Sequence, residues 1–303
     1  MADGPHNEAP GGASGSGERN AGYGLMRDRV ALVTGSGRNL GRAIAIRLAK
    51  EGAAVVVNDV RSADAERTLK DIEVAGGRAI KTVADMSDPA AVEAVFAQAE
   101  REFGTVDALV NNAYARGPAT AWGPFLSLDV EGWSGFTRTN LDLLFLATHR
   151  AATAMAAAGH GGTILNISSH GAARAHRNQI AYDSVKGAIE SFTRATAVDL
   201  APWGIRVNAL RPGSVDVTEG TEGSDTVDPG LARLKATQIP LGRTGRPEDV
   251  AANVVALSCE LTAYVTGQIY NVDGGMAVQA RAPQVEIDTV WTPENIEGYG
   301  HDD

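Results

Sequence analysis

Seven short apolar runs recur along this chain and are separated by longer stretches, several of which repeat apolar residues at helical spacing. The run 54–59 is apolar without alternation until it ends in a polar pair, which is typical of a strand buried on both faces of a parallel sheet. Strands that alternate with helices predict one doubly wound α/β domain with a seven-stranded parallel sheet and helices on both faces. The runs are 30–34, 54–59, 78–83, 107–111, 162–167, 204–210 and 268–272.

The first run leads directly into a glycine-containing turn, 35–41, and then into a predicted helix over 42–50. Glycines allow backbone amides to approach a pyrophosphate, and the amino terminus of a helix favours negative charge. Asp59 ends the second run at a spacing where an acid can bind the adenine ribose. A tight turn would contain glycines in any case, and Asp59 could instead cap the next helix. Together the features favour a dinucleotide-binding, Rossmann-type domain.

A second group of polar residues surrounds the fifth run. Ser169 follows this run, and the periodic stretch 178–200 places Tyr182 and Lys186 four residues apart on one helix face. A phenol has a pKa of about 10, and a cation at ~4 Å can supply the ~4 kcal/mol that would bring it near 7. We therefore expect Lys186 to lower the pKa of Tyr182, assisted by an oxidised nicotinamide. In isolation, the pair is better explained by a tyrosine that caps a core helix and a lysine directed to solvent.

Several short motifs occur with this pair in a fixed order and resemble the short-chain dehydrogenase/reductase family over about residues 25–276. The resemblance implies an NAD(H)-dependent oxidoreductase that interconverts a secondary alcohol and a ketone. By the same resemblance, Tyr182 exchanges the proton, Lys186 holds the nicotinamide ribose, Ser169 bonds the substrate oxygen and Asn140 supports a water relay. The motifs are Thr34-Gly35, Asp85, Asn111-Asn112-Ala113, Asn140, Asn166-Ile167-Ser168-Ser169, Tyr182-x-x-x-Lys186, Pro212-Gly213 and Val272-Asp273-Gly274-Gly275.

The resemblance also implies a cofactor site, and two of its residues disagree about the cofactor. Asp59 would repel a 2′-phosphate and favours NAD, whereas Arg38 is the kind of residue that marks NADP enzymes. Asp59 lies closer to the discriminating hydroxyl, so we predict NAD, with NADP as the alternative. The implied residues are Gly35, Gly37, Arg38, Asn39, Leu40, Gly41, Asp59, Val60, Asp85, Met86, Asn112, Ala113, Tyr182, Lys186, Pro212, Gly213 and Val215.

Three positions depart from the family pattern. Asn39 replaces the middle glycine of the turn, and asparagine tolerates the left-handed backbone that the turn needs. Tyr114 stands where a glycine is usual, so it either turns out over the substrate pocket or marks a changed loop. Val217 occupies the usual position of a threonine, with Thr218 next, so the carboxamide contact is shifted or lost.

Four polar residues near the site have two interpretations each. Asp85 could bond the adenine amino group or cap the helix that follows Pro89. Asn140 could support the water relay or serve as a structural amide in its helix. His170 and His176 could line the substrate pocket, although a lone histidine is more often a satisfied polar contact.

Composition excludes several kinds of partner and location. A formal net charge of -10 argues against nucleic acids and anionic membranes as partners. The single cysteine, Cys259, offers no intramolecular disulfide and no metal cluster, and the chain shows no secretory signal or membrane-length apolar run. We therefore predict a cytoplasmic enzyme without a metal. The rival hypotheses are an NADP(H)-dependent ketoreductase and a non-catalytic dinucleotide-binding regulator.

The chain is predicted to hold a single folded domain over 24–276. Residues 1–23 lack apolar periodicity, so we expect a disordered tail. Residues 216–228 are acidic and rich in glycine, as expected for a mobile substrate lid. The extension 277–303 contains Trp291 and several β-branched residues, and we predict that it lies at a subunit interface of a homotetramer, with folding back on its own subunit as the alternative. The alanine-rich stretch 151–158 is a second predicted subunit contact.

Overall fold

The computed structural model describes residues 22–217 and 236–280. Almost all of the predicted amino-terminal tail lies outside these residues, as does most of the predicted lid, Thr218 included. Of the carboxyl-terminal extension, only residues 277–280 are described. The predictions for these three segments therefore stay predictions.

The described residues form a single seven-stranded sheet in which every neighbouring pair is parallel. The strand order is β3-β2-β1-β4-β5-β6-β7, which confirms the predicted doubly wound architecture. The central strands are fully buried, as their unbroken apolar runs predicted. The strands are β1 Val30–Val33, β2 Ala54–Asp59, β3 Arg78–Val83, β4 Ala108–Asn111, β5 Gly162–Ile167, β6 Ile205–Pro212 and β7 Ile269–Val272.

Among the described residues, six α-helices cover the two faces of this sheet. On one face, α1, α2 and α6 contribute to one apolar core, and on the other α3, α4 and α5 contribute to a second. The first helix begins at Asn39, three residues before its predicted start, because the turn passes directly into the helix. The helices are α1 Asn39–Lys50, α2 Ser62–Val74, α3 Pro89–Glu102, α4 Val130–Ala158, α5 Ile180–Leu200 and α6 Pro247–Ser258.

From β1, the strands are added toward one edge of the sheet up to β3, and from β4 they are added toward the other edge up to β7. The order of strand addition therefore reverses between the neighbouring strands β1 and β4. Beyond their carboxyl ends, the Asn112 backbone N–H donates to Thr34 Oγ1 at 3.0 Å and the Asn112 Nδ2 donates to the Thr34 carbonyl at 3.0 Å. Open α/β sheets bind ligands at such a switch point. Within the described residues, no helix combines the length and the apolar character needed to cross a membrane.

Candidate active site

The turn after β1 forms a tight cradle that only glycine permits. Gly35 has a φ of +62°, and a Cβ atom built on Gly41 would lie 2.2 Å from the Gly35 carbonyl oxygen and 2.5 Å from Asn112 Nδ2. A Cβ on Gly37 would lie 2.7 Å from Asp59 Oδ2. Asn39 has a φ of +50°, which confirms that asparagine adopts the left-handed backbone here. Its Oδ1 atom is buried and has no hydrogen-bond partner among the described residues.

A cavity of about 510 Å³ opens beside this cradle and extends over the carboxyl ends of β2 and β4. Its volume, the glycine backbone and the amino terminus of α1 fit a dinucleotide, and the unpartnered Asn39 oxygen adds a free polar atom. Eleven of the predicted cofactor residues line the cavity: Gly35, Arg38, Asn39, Leu40, Gly41, Asp59, Val60, Asp85, Met86, Asn112 and Ala113.

Asp59 connects the end of β2 to the glycine turn. Its Oδ2 accepts the Gly37 backbone N–H at 3.0 Å, and its Oδ1 accepts the Arg61 backbone N–H at 3.0 Å. The side chain is therefore fixed beside Arg38 in the cavity wall, and it is not the N-cap of α2, because that position belongs to Arg61. The alternative interpretation of Asp59 as a helix cap was wrong.

Asp85 also lines the cavity, but its carboxylate is engaged in its own turn. The Oδ1 atom accepts both the backbone N–H and the hydroxyl of Ser87. Helix α3 is capped by Asp88, whose side chain accepts the Ala90 N–H, with Pro89 in the first turn. The helix-cap interpretation of Asp85 therefore fails, and its second carboxylate oxygen remains available to the cavity.

Tyr182, Lys186 and Ser169 come together at the carboxyl end of β5. The Lys186 Nζ lies 5.6 Å from the centroid of the Tyr182 ring and donates a hydrogen bond to the Ile167 carbonyl at 2.8 Å. The Ser169 side chain is close enough to the Tyr182 hydroxyl to lower its pKa as a hydrogen-bond partner, and its Oγ accepts the Gly171 N–H at 3.2 Å. The helical spacing and the strand end therefore bring these three side chains together as predicted.

In the protein without cofactor, the pKa of Tyr182 is shifted in the opposite direction to the predicted one. Burial raises the pKa of Tyr182 above its ordinary value of 10; the hydrogen bond with Ser169 opposes this effect, and the charge of Asp183 adds to it. Lys186 is itself so buried that its pKa is lowered to about 8. The protein alone therefore does not lower the pKa of Tyr182, because desolvation of the phenolate, to which the charge of Asp183 adds, outweighs the hydrogen bond with Ser169.

Only one of the two adjacent serines faces the tyrosine. The Ser168 hydroxyl donates to Glu190 Oε1 at 3.0 Å, about two helical turns along α5 from Tyr182. Glu190 is also bound by the Arg211 guanidinium at 2.8 and 2.6 Å. Ser168 thus belongs to a buried network that joins β5, α5 and β6, whereas Ser169 is left for the site.

Asn140 holds the loop that follows β4. Its Oδ1 accepts the Ala115 N–H at 3.0 Å, while its Nδ2 donates to the carbonyls of Ala115 and Phe136 at 2.9 and 3.0 Å. The structural interpretation of this amide therefore has direct support. Asn140 and Lys186 also line one small cavity of about 20 Å³, a volume sufficient for about one water molecule.

Aromatic rings enclose Tyr182 on the side of the cofactor cavity. The Tyr114 ring stands edge to face with it at 5.5 Å between centroids, and Trp122 lies at 6.2 Å. Tyr114 also lies 5.7 Å from Lys186 Nζ and contacts Phe136 at 5.9 Å. Tyr114 is thus directed toward the site and occupies the boundary between the large cavity and Lys186, whereas sequence reasoning left its orientation open.

A chain of three titratable side chains lies on the opposite side of Tyr182. Asp183 faces His176 Nδ1 at 2.7 Å, and His176 Nε2 faces His170 Nε2 at 2.9 Å. Sequence reasoning treated each histidine as isolated and did not single out Asp183. The only sequence signal was the presence of three titratable residues close to Tyr182. No group of three or more His, Cys, Asp or Glu side chains in the described part of the chain is arranged to hold a metal ion.

The turn after β6 contains the remaining predicted residues. Pro212 ends β6, the Gly213 N–H donates to the Val272 carbonyl at 3.0 Å, and Val215 forms a bridge with Gly245. A Cβ atom on Gly213 would lie 2.7 Å from Asp273 Cβ, so glycine is needed for this close approach. These residues lie at the carboxyl end of β6, the strand next to β5, and they do not line the 510 Å³ cavity.

Comparisons with known proteins agree with this geometry. Residues 35–277 match a family model described as enoyl-(acyl carrier protein) reductase. An L-rhamnose 1-dehydrogenase (NAD(P)(+)) from Sphingomonas sp. (strain SKA58) is 35% identical over 84% of this chain and 98% of its own length. A cis-4-hydroxycyclohexanecarboxylate dehydrogenase from Sinomonas cyclohexanicum is 38% identical over 82% of this chain and 96% of its own length. The solved structure of levodione reductase is 32% identical, with a TM-score of 0.75 over 83% of this chain and 98% of that chain.

Proposed function

Because the chain belongs to the short-chain dehydrogenase/reductase family and is an oxidoreductase acting on CH–OH groups, we propose that it interconverts a secondary alcohol and a ketone with NAD(H) as the preferred cofactor. The observation that carries this proposal is the convergence of Ser169, Tyr182 and Lys186 beside a cavity built for a dinucleotide. The NAD preference is supported by the position of Asp59 in the wall of that cavity.

Each site residue has a distinct role in the proposed reaction. A bound nicotinamide dinucleotide supplies the hydride acceptor or donor. Tyr182 exchanges a proton with the substrate oxygen, and Ser169 donates a hydrogen bond to that same oxygen. Lys186, held by the Ile167 carbonyl, supplies positive charge beside the phenol. Asn140 and Lys186 line the small cavity through which one water molecule can pass protons to Lys186.

The cofactor residues divide into two groups. The glycine turn offers its backbone N–H groups and the amino terminus of α1 to the phosphates, and Asp59 and Asp85 face the adenosine half of the molecule. The turn after β6 lies beside the catalytic side chains and would bind the nicotinamide end through Pro212, Gly213 and Val215.

A substrate screen tests the proposal directly. A panel of secondary alcohols and the matching ketones is incubated with each oxidised or reduced cofactor, and the reduced nicotinamide is followed by its absorbance. We expect turnover with some members of the panel in wild-type protein and about 10²- to 10⁴-fold less in Tyr182→Phe. A protein that binds the dinucleotide but turns over no member of a broad panel would instead favour the non-catalytic regulator.

The cofactor preference should depend on Asp59. Like charges placed together in a binding site cost several kcal/mol, so we expect Asp59→Ala to shift the ratio of the NADP and NAD dissociation constants toward NADP by about tenfold or more. The measurement is calorimetric titration with both cofactors. Asp59→Asn separates charge from shape, because it removes the charge and retains one acceptor oxygen.

Asp85→Ala is the matched control for this experiment, since Asp85 lines the same cavity but is engaged by Ser87. It should leave the ratio near that of wild-type protein. A wild-type enzyme that already prefers NADP would show that Arg38 determines the choice and that the proposed preference is wrong.

We further propose a homotetramer whose contacts include the outer face of α4. Trp133, Leu141 and Phe145 repeat at helical spacing on this face and are 38%, 36% and 52% exposed. The alanine-rich end of α4 is a poorer candidate than the sequence suggested, because Ala151, Ala152 and Met155 are buried within the same subunit. A solvent-exposed stripe of large apolar side chains marks an interaction surface.

A charge in this stripe should therefore disrupt assembly. We expect Phe145→Asp to give a smaller species than wild-type protein in light scattering after gel filtration, because a carboxylate cannot be buried unpaired in an apolar contact. Val74→Asp is the control, since Val74 is 90% exposed at the end of α2. An unchanged mass for Phe145→Asp would exclude this face from the interface.

The proposed location is the cytoplasm. Cys259 is a buried free thiol, and a protein with one unpaired cysteine is suited to a reducing compartment. The formal net charge of -10 continues to argue against nucleic acid and anionic membranes as partners.

A further inference from the structure

The loop between β5 and α5, together with the first turn of α5, contains a hydrogen-bonded chain that the proposed reaction does not use. We propose that Asp183, His176 and His170 form a positioning relay in which Asp183 sets the tautomer of both imidazoles and couples the wall of Tyr182 to the turn after β6. The relay begins at the residue that follows Tyr182 and ends beside Pro212, so it joins two parts of the proposed site. None of its members touches the reacting atoms in the proposed mechanism.

The first step of the relay is fixed by two hydrogen bonds to one carboxylate. Asp183 Oδ2 accepts the His176 backbone N–H at 2.7 Å, and Oδ1 faces the His176 Nδ1 at 2.7 Å. A carboxylate only accepts, so the Nδ1 atom must be the protonated one and donate. The carboxylate is 13% exposed, and a Cβ on Gly171 would lie 2.2 Å from Asp183 Oδ1, so the pair is enclosed on this side.

The second step follows from the first. With its proton on Nδ1, neutral His176 has a lone pair on Nε2, and this atom lies 2.9 Å from His170 Nε2. Two lone pairs at that distance would repel each other, so His170 must donate from Nε2. Neutral His170 then has an unprotonated Nδ1, which is buried and has no hydrogen-bond partner among the described residues.

Pro212, at the end of β6, supplies a backbone carbonyl that acts on His170 as a hydrogen-bond acceptor. Burial and the neighbouring His176 lower the pKa of His170, and the Pro212 carbonyl raises it. The charge of Arg174 lowers this pKa further, whereas the charge of Asp183 raises it. When the pair takes up one proton, both Nδ1 atoms carry hydrogen and one hydrogen is shared between the Nε2 atoms. His170 can then donate to Pro212, and the charge of Asp183 balances the new positive charge.

The relay also acts on Tyr182. The His176 ring stands edge to face with the Tyr182 ring at 6.0 Å between centroids, so Asp183 holds one wall of the tyrosine in place. The charge of Asp183 contributes to the raised pKa of Tyr182. Protonation of the histidine pair balances that charge. It also lets His170 donate to the Pro212 carbonyl and so hold the turn after β6, which binds the nicotinamide end if the proposed function holds.

Asp183→Asn is the decisive variant, because the amide has one acceptor and one donor. The His176 backbone N–H must donate, so it takes the Asn oxygen, and the Asn NH₂ then faces His176 Nδ1. His176 is forced to carry its proton on Nε2 and to donate to His170. His170 in turn must carry its proton on Nδ1, and both tautomers are reversed relative to wild-type protein.

Nitrogen NMR of the imidazoles tests this reversal without any turnover. In wild-type protein, at a pH at which the histidine pair is neutral, we expect His176 to be protonated on Nδ1 and His170 on Nε2. The variants His170→Asn and His176→Asn assign the signals to the two residues. In Asp183→Asn both should change to the other nitrogen. Wild-type protein with another tautomer pair, or an Asp183→Asn protein with unchanged tautomers, would overturn the relay.

NADH binding, followed by fluorescence across the titration range of histidine, tests the coupling to the turn. In wild-type protein the dissociation constant should rise by about twofold to tenfold as the pair loses its proton, which is the effect of one hydrogen bond. In Asp183→Asn the dissociation constant of NADH should be independent of pH over this range. His160→Gln, at the opposite edge of the sheet, should behave like wild-type protein.

The outcomes separate this inference from the proposed function. A protein that shows the tautomer reversal but binds no NADH would contradict the proposed cofactor site and leave the relay intact as a structural element. NADH binding with the same pH dependence in wild-type protein and in Asp183→Asn would show that the relay does not act on the turn.

Discussion

Replacement of Tyr182 by phenylalanine is expected to leave a folded protein that binds NADH and whose turnover falls by about 10²- to 10⁴-fold, the usual contribution of a general acid or base. The phenol hydroxyl contacts Ser169, whereas the ring itself is held by Tyr114, Trp122 and His176. Phenylalanine retains the ring contacts and removes only the proton donor. The measurements are initial rates, NADH binding by fluorescence, and thermal unfolding.

Tyr264→Phe is the matched control for this loss of a hydroxyl group. Tyr264 is fully exposed at the other edge of the sheet, so its variant should keep the wild-type rate. A Tyr182→Phe protein that keeps more than a few per cent of the wild-type rate would show that another group exchanges the proton. Loss of NADH binding together with activity would show that the hydroxyl serves the cofactor instead.

Replacement of Lys186 by methionine is expected to stabilise the protein without cofactor at neutral pH while turnover is largely lost. Burial lowers the pKa of Lys186 from 10.5 to about 8, which costs the folded state about 3 kcal/mol at ~1.4 kcal/mol per unit. Methionine removes this cost, but it leaves the Ile167 carbonyl without its donor, an effect of about 1–3 kcal/mol. We therefore expect a net stabilisation of about 1 kcal/mol.

The dependence on pH distinguishes this explanation from a simple packing effect. Below pH 8 both the folded and unfolded states hold the lysine proton, so the full cost is present in wild-type protein. Between about 8 and 10.5 the unfolded state binds more protons, and the free energy of unfolding of wild-type protein rises with pH. Denaturant unfolding should therefore show the advantage of Lys186→Met shrinking over this window. A difference that does not change with pH would contradict the buried charge as its cause.

The sequence by itself determined the features that depend on neighbouring residues. Unbroken apolar runs specify strands that are buried on both faces, and helical periodicity specifies the helices between them, so the seven-stranded parallel sheet could be predicted. Tyr182 and Lys186 share a face because they are separated by about one helical turn. The left-handed backbone of Asn39 could also be predicted, because it depends only on one residue and the turn that contains it.

Only the tertiary structure decided the features that depend on contacts between distant segments or on burial. Asp59 reaches Gly37 from another strand, and Asp183 reaches His176 across the junction of a loop and a helix, where no sequence period applies. The choice of Ser169 over Ser168 depends on Glu190 and Arg211, which other elements bring into place. Without cofactor, the pKa of Tyr182 is raised rather than lowered, because the shift depends on how far packing removes the phenol from water. Sequence spacing places a charge near a group, but the packed fold sets the desolvation that opposes it.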